Sequence, residues 1–231
     1  MKLFTIGPVQ MYPNTATVRA KGFPHFRTTE FGDVVKANLK TLAKYINTST
    51  PDGIIYLSAS GTGAMEAVVE NCVNSDDKAL VINGGTFGRR FVELLKYHEI
   101  PCDTVDLKWN ETLTPAHLSP FENKGYTILF VNLHETSTGQ LYDIAMLSEF
   151  AKRNKMMLVV DAISTFLADE YDMEKYGIDV TIISSQKGLC LSPGMSIVAF
   201  SRRMIDKIGK MKKTPSKYFD FKDYLLNIPR G

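Results

Sequence analysis

Cysteine is scarce in this chain, which has 231 residues and three cysteines. Cys72, Cys102 and Cys190 are widely spaced and form no C-x-x-C pair, which argues against a disulfide framework or a zinc knuckle and favours a reducing compartment. Long apolar runs are also lacking, since none approaches the roughly 20 residues that span a bilayer. The apolar N-terminal stretch is broken by Gly7-Pro8 and is too short for a signal peptide. We therefore expect a cytoplasmic protein.

The sequence also has no excess of charge of one sign. Lys and Arg total 27 and Asp and Glu total 25, which gives a formal net charge of +2. Such a near-balance produces no strong field, so we expect neither a nucleic-acid nor a membrane partner. Hydrophobic residues make up 44% and charged residues 23% of the chain, which is typical of a globular protein with a large buried core.

Short apolar runs alternate with longer amphipathic segments along most of the chain. The apolar runs predict strands over 54–57, 79–82, 103–107, 127–133, 156–160, 180–184 and 196–200, and the other segments predict helices over 31–46, 61–73, 86–97 and 144–154. This alternation is typical of an α/β fold with a mostly parallel sheet covered on both faces. The stretch before the first helix is predicted to be mostly irregular. In such sheets ligands bind where strands end.

A loop of small residues follows the first predicted strand and opens a helix. Ser60, Gly61 and Thr62 lie at this helix start, where free N–H groups attract phosphate and glycine allows a close approach. The loop is neither a Walker A motif nor a G-x-G-x-x-G fingerprint. An ordinary N-cap turn would have a similar sequence, so both interpretations stay open.

Two charged residues end later strands of the pattern. Asp161 follows the strand over 156–160, and Lys187 follows the strand over 180–184. A helix cap or a metal ligand is an alternative for the aspartate, and an exposed turn is an alternative for the lysine. A phosphate loop, an acid and a lysine in one crevice are nevertheless the groups that pyridoxal phosphate requires.

The chain resembles the class V aminotransferases, a branch of the fold type I pyridoxal phosphate enzymes. That branch includes alanine–glyoxylate, serine–pyruvate and 2-aminoethylphosphonate–pyruvate transaminases. The segments that carry the resemblance, in the family's order, are Gly7-Pro8, Ser60 to Ala67, Gly85 to Arg90, His134 to Gly139, Asp161 to Ser164 and Ser184 to Leu189. The resemblance implies a fold type I large domain with a mostly parallel sheet of about seven strands flanked by helices. It also implies pyridoxal 5'-phosphate as the cofactor and a homodimer.

The resemblance implies a role for particular residues. Lys187 would be the catalytic lysine that forms the Schiff base and moves the substrate proton, and Asp161 would bind the pyridine nitrogen. The other implied contacts are Ser60, Gly61, Thr62 and Gln186 at the phosphate, Phe87 and Ile163 on the two ring faces, Thr136 near the phenolic oxygen, and Gly7 at the substrate. Phe87 and Ile163 could instead be ordinary core residues, and Ser137 could take the place of Thr136. No metal ion is expected.

The resemblance also implies a division of the chain into two parts. Residues 1–30 would be an N-terminal segment that contributes to the active site, and 31–231 would be the large domain that binds the cofactor. We expect the smaller C-terminal domain of the relatives, which carries the arginine for the substrate carboxylate, to be absent from this chain.

The expected reaction is transamination. A small amino donor (alanine, serine or 2-aminoethylphosphonate) would pass its amino group to a 2-oxo acid such as pyruvate or glyoxylate. One alternative is a cysteine desulfurase or lyase of the same fold, although Phe87 and Gln186 occupy positions where those relatives have histidine. The other alternative is a catalytically silent domain that keeps the fold.

Overall fold

The computed structural model describes residues 2–22, 24–211 and 216–228. Its strands are β1 (Ile54–Leu57), β2 (Ala79–Asn83), β3 (Cys102–Asp106), β4 (Ile128–Asn132), β5 (His134–Glu135), β6 (Gln140–Leu141), β7 (Met157–Asp161), β8 (Val180–Ser184) and β9 (Ser196–Phe200). A seven-stranded sheet has the order β1-β9-β8-β7-β4-β2-β3, and β5 pairs with β6 in a separate hairpin. In the seven-stranded sheet β9 runs antiparallel to both neighbours, and the other strand pairs are parallel. The prediction of a mostly parallel α/β sheet of about seven strands is confirmed.

The described residues form helices, most of which begin at a capping side chain. They are α1 (Pro13–Arg19), α2 (Thr29–Ile46), α3 (Gly61–Cys72), α4 (Thr86–Tyr97), α5 (Pro115–Leu118), α6 (Ile144–Arg153), α7 (Arg202–Lys210) and α8 (Phe221–Asn227). Helix α2 starts where Thr28 Oγ1 accepts a hydrogen bond from Phe31 N and ends at Asn47, which is left-handed with φ 57°. Within the described ranges no helix has the length and apolar character needed to cross a membrane.

One element differs from the sequence prediction. Helix α1 lies in the stretch that was predicted to be mostly irregular because it is rich in proline. Pro13 occupies the first turn of the helix, where the missing N–H has no intrahelical partner to lose, so this proline is compatible with a helix start.

Alternate residues of the central strands pack into two separate cores. In β4, Leu129 and Val131 face the core that includes α2 and α6, whereas Ile128 and Phe130 face the core that includes α3 and α4. The rings of Phe91 and Phe130 lie 5.1 Å apart in the second core. Because both faces of the sheet are buried around its central strands, those strands are continuously apolar rather than alternating with polar residues.

The carboxyl ends of the parallel strands meet at one edge of the sheet. The register pairs Asn132 at the end of β4 with Asp161 at the end of β7, and pairs Asp161 with Ile182 in β8. Lys187 follows three residues after β8 ends at Ser184. The topology therefore brings the ends of the strands that carry the predicted acid and lysine to the same edge.

Candidate active site

Asp161 is the buried carboxylate of this edge, with 1% of its surface exposed. Asn132 Nδ2 donates to its Oδ2 at 2.7 Å, and the backbone N–H of Ile163 donates to its Oδ1 at 2.9 Å. Burial raises the pKa of Asp161 to about 6, although the hydrogen bonds from Ile163 and Asn132 oppose that shift. The carboxyl group is therefore fixed in direction and destabilised when charged, so it favours a cationic partner.

Lys187 extends toward the same group of side chains. Burial lowers the pKa of Lys187, and the charge of Asp161 acts against that shift, so the two side chains interact electrostatically. The amine donates to the backbone oxygen of Ile6 at 3.0 Å. A Cβ added to Gly7 would lie 2.6 Å from the amine nitrogen and 2.5 Å from two side-chain carbons of Lys187. The N-terminal segment therefore lies directly against this lysine.

The small-residue loop forms the N-terminus of α3, as the sequence predicts. Ser60 Oγ accepts from Gly63 N at 3.1 Å, so this serine caps the helix and its hydroxyl proton remains able to donate. A Cβ on Gly61 would lie 2.6 Å from Ile163 Cδ1. The amides of Gly61 and Thr62 precede the first intrahelical bonds, which is where a helix offers donors to an anion.

Phe87 and Thr62 are connected by Arg90, a residue to which the sequence analysis gave no role. Arg90 Nη1 donates to Thr62 Oγ1 at 2.9 Å, and its guanidinium carbon lies 4.8 Å from the centroid of the Phe87 ring. Phe87 is half-buried rather than part of the closed core. The charge of Arg90 also lowers the pKa of Asp161, which places Arg90 in the electrostatic neighbourhood of the carboxylate.

Glu135 is a second buried carboxylate whose role the sequence analysis missed, and it is 0% exposed. Its Oε2 accepts from the backbone N–H groups of Phe87 at 3.1 Å and Gly88 at 2.9 Å, and its Oε1 accepts from Ser137 Oγ at 2.6 Å. A negative charge at the N-terminus of α4 is favoured by the helix dipole. Glu135 therefore holds the helix start that carries Phe87.

Two further predicted residues, Thr136 and Gln186, lie in the loops around this centre. Thr136 Oγ1 and Ser164 Oγ lie 2.7 Å apart, so Thr136 contacts the loop that follows Asp161. The side-chain oxygen of Gln186 accepts from Ser184 Oγ at 2.6 Å, and its backbone oxygen accepts from Val9 N at 3.0 Å. Gln186 is thus tied both to β8 and to the N-terminal segment.

The contacts join the predicted residues into connected groups. Gly7 lies against Lys187, and Thr62 is linked through Arg90 to Phe87. Asp161 accepts from Ile163 N, and Ile163 lies against Gly61. The charge of Asp161 also acts on the pKa of Lys187. Asn132, Arg90 and Glu135 were not singled out from the sequence. The signal that could have found Asn132 and Glu135 is their position at or just after the end of a buried strand, as for Asp161. The catalytic and binding roles given above stay predictions.

The family model described as aminotransferase class-V matches residues 10–223. A curated relative, L-aspartate–glyoxylate aminotransferase of Paracoccus denitrificans, is 28% identical over 211 residues, which are 89% of this chain and 53% of that protein. A solved aspartate aminotransferase of subgroup IV from Thermus thermophilus superposes with a TM-score of 0.89 at 29% identity, and covers 100% of this chain and 64% of its own. A solved alanine–glyoxylate aminotransferase from Nostoc sp. superposes with a TM-score of 0.88 at 27% identity. The match covers 97% of this chain and 59% of that chain.

The chain thus spans between about half and two thirds of the length of these proteins. The likeness nevertheless extends over nearly the whole of this chain, and the matched fold is that of the fold type I pyridoxal phosphate enzymes. The family model covers well over half of the sequence. The chain therefore belongs to the class V aminotransferase family.

Proposed function

We propose that this protein is an aminotransferase that moves an amino group from a small amino donor to a 2-oxo acid. The observation that carries the proposal is that the buried Asp161 carboxylate ends β7 while Lys187 follows the adjacent, parallel β8. The charge of Asp161 raises the pKa of the Lys187 amine. The class V family and its fold depend on pyridoxal phosphate.

The residues present fit this cofactor. Both hydrogen-bond donors to Asp161 are neutral groups, the amide of Asn132 and the N–H of Ile163, so its ionised form needs nearby positive charge. In the described part of the chain Asn132 Oδ1 is also buried without a hydrogen-bond partner. A protonated pyridine nitrogen would supply the charge, and the N-terminus of α3 offers donors to a phosphate.

We propose the following contacts for the bound cofactor. The phosphate is held by Ser60, Gly61, Thr62 and Gln186, the two ring faces by Phe87 and Ile163, and the phenolic oxygen by Thr136. When bound, pyridoxal phosphate supplies an aldehyde that condenses with amines and a ring that accepts electrons from the substrate's α-carbon. Asp161 keeps positive charge on the ring nitrogen, and Arg90 orients the hydroxyl of Thr62.

Lys187 is the proposed nucleophile and proton carrier. Its pKa is lowered by burial, which raises the fraction of neutral amine that can attack a carbonyl carbon or take a proton from a substrate's α-carbon. The backbone oxygen of Ile6 holds the amine in place. Because Gly7 has no side chain, the amine and the substrate can share the space beside it.

The names of the relatives support glyoxylate as an acceptor and alanine or aspartate as donors. Serine and 2-aminoethylphosphonate remain donors to test, with pyruvate as the other acceptor. We also propose that residues 1–30 contribute to the active site, that residues 31–231 form the large domain, and that the protein acts as a homodimer.

The test is borohydride fixation of the cofactor in the purified protein. We expect an absorbance band of bound pyridoxal phosphate, and after reduction a peptide that contains Lys187 and carries the mass of the cofactor. Lys187→Ala should abolish fixation, whereas Lys155→Ala, which lies after α6, should leave it unchanged. Fixation of equal extent in Lys187→Ala would refute the assignment.

A product assay separates the reaction classes. Keto-acid formation from alanine, aspartate, serine or 2-aminoethylphosphonate, with glyoxylate or pyruvate as acceptor, supports transamination. Sulfide release from cysteine without keto-acid formation would identify a desulfurase instead. A protein that neither binds the cofactor nor turns over any donor would be a silent domain, and the proposal would fail.

A further inference from the structure

Three side chains of types that ligate metal ions lie together beside the C-terminal half of α3 and the end of α4. Both helices start at the carboxyl edge of the sheet and run back across it, so their last turns lie away from the candidate active site. Glu66 and Glu70 are one turn apart on the same face of α3, and His98 follows the last residue of α4. One potential ligand atom from each side chain, a carboxylate oxygen or an imidazole nitrogen, lies within 4.8 Å of the other two.

The distances resemble the spacing of ligands around an ion. His98 Nε2 lies 3.4 Å from Glu66 Oε1 and 3.8 Å from Glu70 Oε1. Ligands of a tetrahedral zinc ion, with bonds of about 2.0–2.2 Å, are separated by about 3.3–3.6 Å. In the described part of the chain His98 Nε2 forms no hydrogen bond with either carboxylate or with any other group. A small adjustment of rotamers would therefore place all three donors around one metal ion.

Burial makes this arrangement costly without a cation. The side chains of Glu70 and His98 are only 9% and 14% exposed. Glu70 Oε2 is buried and, among the described residues, has no hydrogen-bond partner. Buried polar atoms without partners are rare, and a bound ion is one of their recognised explanations.

The surroundings also allow an ion to enter. A cavity of about 640 Å³ is lined by Glu70 and His98 together with the loops that follow the two helices. It offers room for water molecules that complete the coordination of an ion. Two carboxylates and one imidazole carry two negative charges when ionised, which a divalent cation neutralises.

We propose that Glu66, Glu70 and His98 bind a divalent transition-metal ion of the Zn²⁺ type, with water in the remaining position. The imidazole ligand favours zinc over Mg²⁺ and Ca²⁺, which take oxygen ligands. The ion would fasten the end of α3 to the end of α4. The site is separate from Lys187 and requires no bound cofactor.

The experiment is isothermal titration of ZnCl₂ into the chelator-stripped, cofactor-free protein. We expect saturable binding of one ion to this site and a zinc-dependent rise in Tm, because an ion that binds only the folded state stabilises it. Glu70→Gln and His98→Gln should each weaken binding by about 100-fold or more, since changes to groups that merely support metal ligands already cost about 10–100-fold. MgCl₂ should give no comparable binding.

His117→Gln is the matched control. His117 Nε2 also lies 3.4 Å from a glutamate oxygen, that of Glu111, but it pairs with one carboxylate rather than two, so zinc binding should persist in this variant. Glu66→Gln changes the most exposed of the three proposed ligands and tests the site if the other variants fail to fold. Absence of zinc binding in the wild type, or unchanged affinity in both Glu66→Gln and His98→Gln, would overturn the proposal.

Discussion

Lys187 Nζ donates a 3.0 Å hydrogen bond to the backbone oxygen of Ile6, a residue 181 positions earlier in the chain. The neighbouring glycine, Gly7, lies so close to the lysine that it leaves no room for a side chain. In a third contact, Val9 N donates to the backbone oxygen of Gln186 at 3.0 Å, which fixes the N-terminal segment beside Lys187. The N-terminal segment is therefore placed to control the position of the amine.

Gly7→Ala should displace the Lys187 side chain and impair its chemistry. The new methyl group would meet the lysine side chain at about 2.5 Å, a distance at which the flexible lysine must move away. We expect cofactor fixation and turnover to fall by about tenfold or more, a loss of about 1.4 kcal/mol. The free energy of unfolding should also fall by about 1–3 kcal/mol, because the φ of Gly7, 152°, is one that residues with a side chain rarely adopt.

Gly22→Ala is the control for this substitution. Nothing lies within 4 Å of the position that its Cβ would take, so both fixation and urea unfolding should match the wild type. Wild-type fixation in Gly7→Ala would show that the amine does not depend on this contact. An equal loss in both variants would show that the N-terminal segment acts in some other way.

Asp161→Asn should stabilise the cofactor-free protein at neutral and alkaline pH. The pKa of this carboxyl is about 6 in the folded chain, because of burial, and about 3.9 in an unfolded chain. Between these values the folded state binds more protons, so the free energy of unfolding falls as pH rises. The shift of about two pKa units corresponds to at most about 3 kcal/mol at pH 8. The introduced amide can donate to Asn132 Oδ1, which has no hydrogen-bond partner in the described ranges.

The measurement is urea unfolding of wild type and variant at pH 4.5 and pH 8 without cofactor. The gain in Asp161→Asn should be large at pH 8 and small at pH 4.5, whereas cofactor fixation should decrease at both values. Asp33→Asn, on the exposed side of α2, should shift the unfolding curve equally at the two pH values. An equal stability of wild type and Asp161→Asn at pH 8 would contradict the effect of burial.

Most of the secondary structure could be predicted because strands buried on both faces appear in the sequence as continuous apolar runs. Strands over 54–57, 180–184 and 196–200 were predicted with the bounds that the structure gives. The hairpin of β5 and β6 was missed, because strands of two residues have no periodicity to detect. The antiparallel direction of β9 was also not predicted, since strand direction depends on the path of the connecting chain and not on local composition.

The candidate site was only partly predictable. Asp161 and Lys187 stand out because charged residues at the ends of apolar strands are conspicuous. Glu135 also follows a buried strand, but its partners Phe87 and Gly88 lie 48 and 47 positions away in the chain. Arg90 bonds to Thr62, which lies 28 positions away. Sequence spacing alone says nothing about such pairs.

Glu135→Gln should destabilise the protein even in the absence of cofactor. The carboxylate is fully buried and accepts from the N–H groups of Phe87 and Gly88 and from Ser137. The side-chain NH₂ of glutamine cannot accept a hydrogen bond, so at least one of these donors would lose its partner. We expect the free energy of unfolding to fall by about 2–4 kcal/mol. Urea unfolding measures this loss. Glu149→Gln, on the exposed face of α6, should leave the unfolding midpoint nearly unchanged, and a similarly small effect of Glu135→Gln would contradict the capping role.

Arg90→Gln should weaken cofactor binding by about tenfold. Arg90 donates to Thr62, contacts the ring of Phe87 and lowers the pKa of Asp161, so its loss affects three of the proposed cofactor contacts at once. A hydrogen bond and an exposed cation–π contact are each worth about 1 kcal/mol, and about 1.4 kcal/mol is tenfold in affinity. Spectrophotometric titration with pyridoxal phosphate measures the dissociation constant. Arg89→Gln, at the exposed position before Arg90, should bind the cofactor as the wild type does. Equal weakening in both variants would show that the loss comes from the change in overall charge and not from the contacts of Arg90.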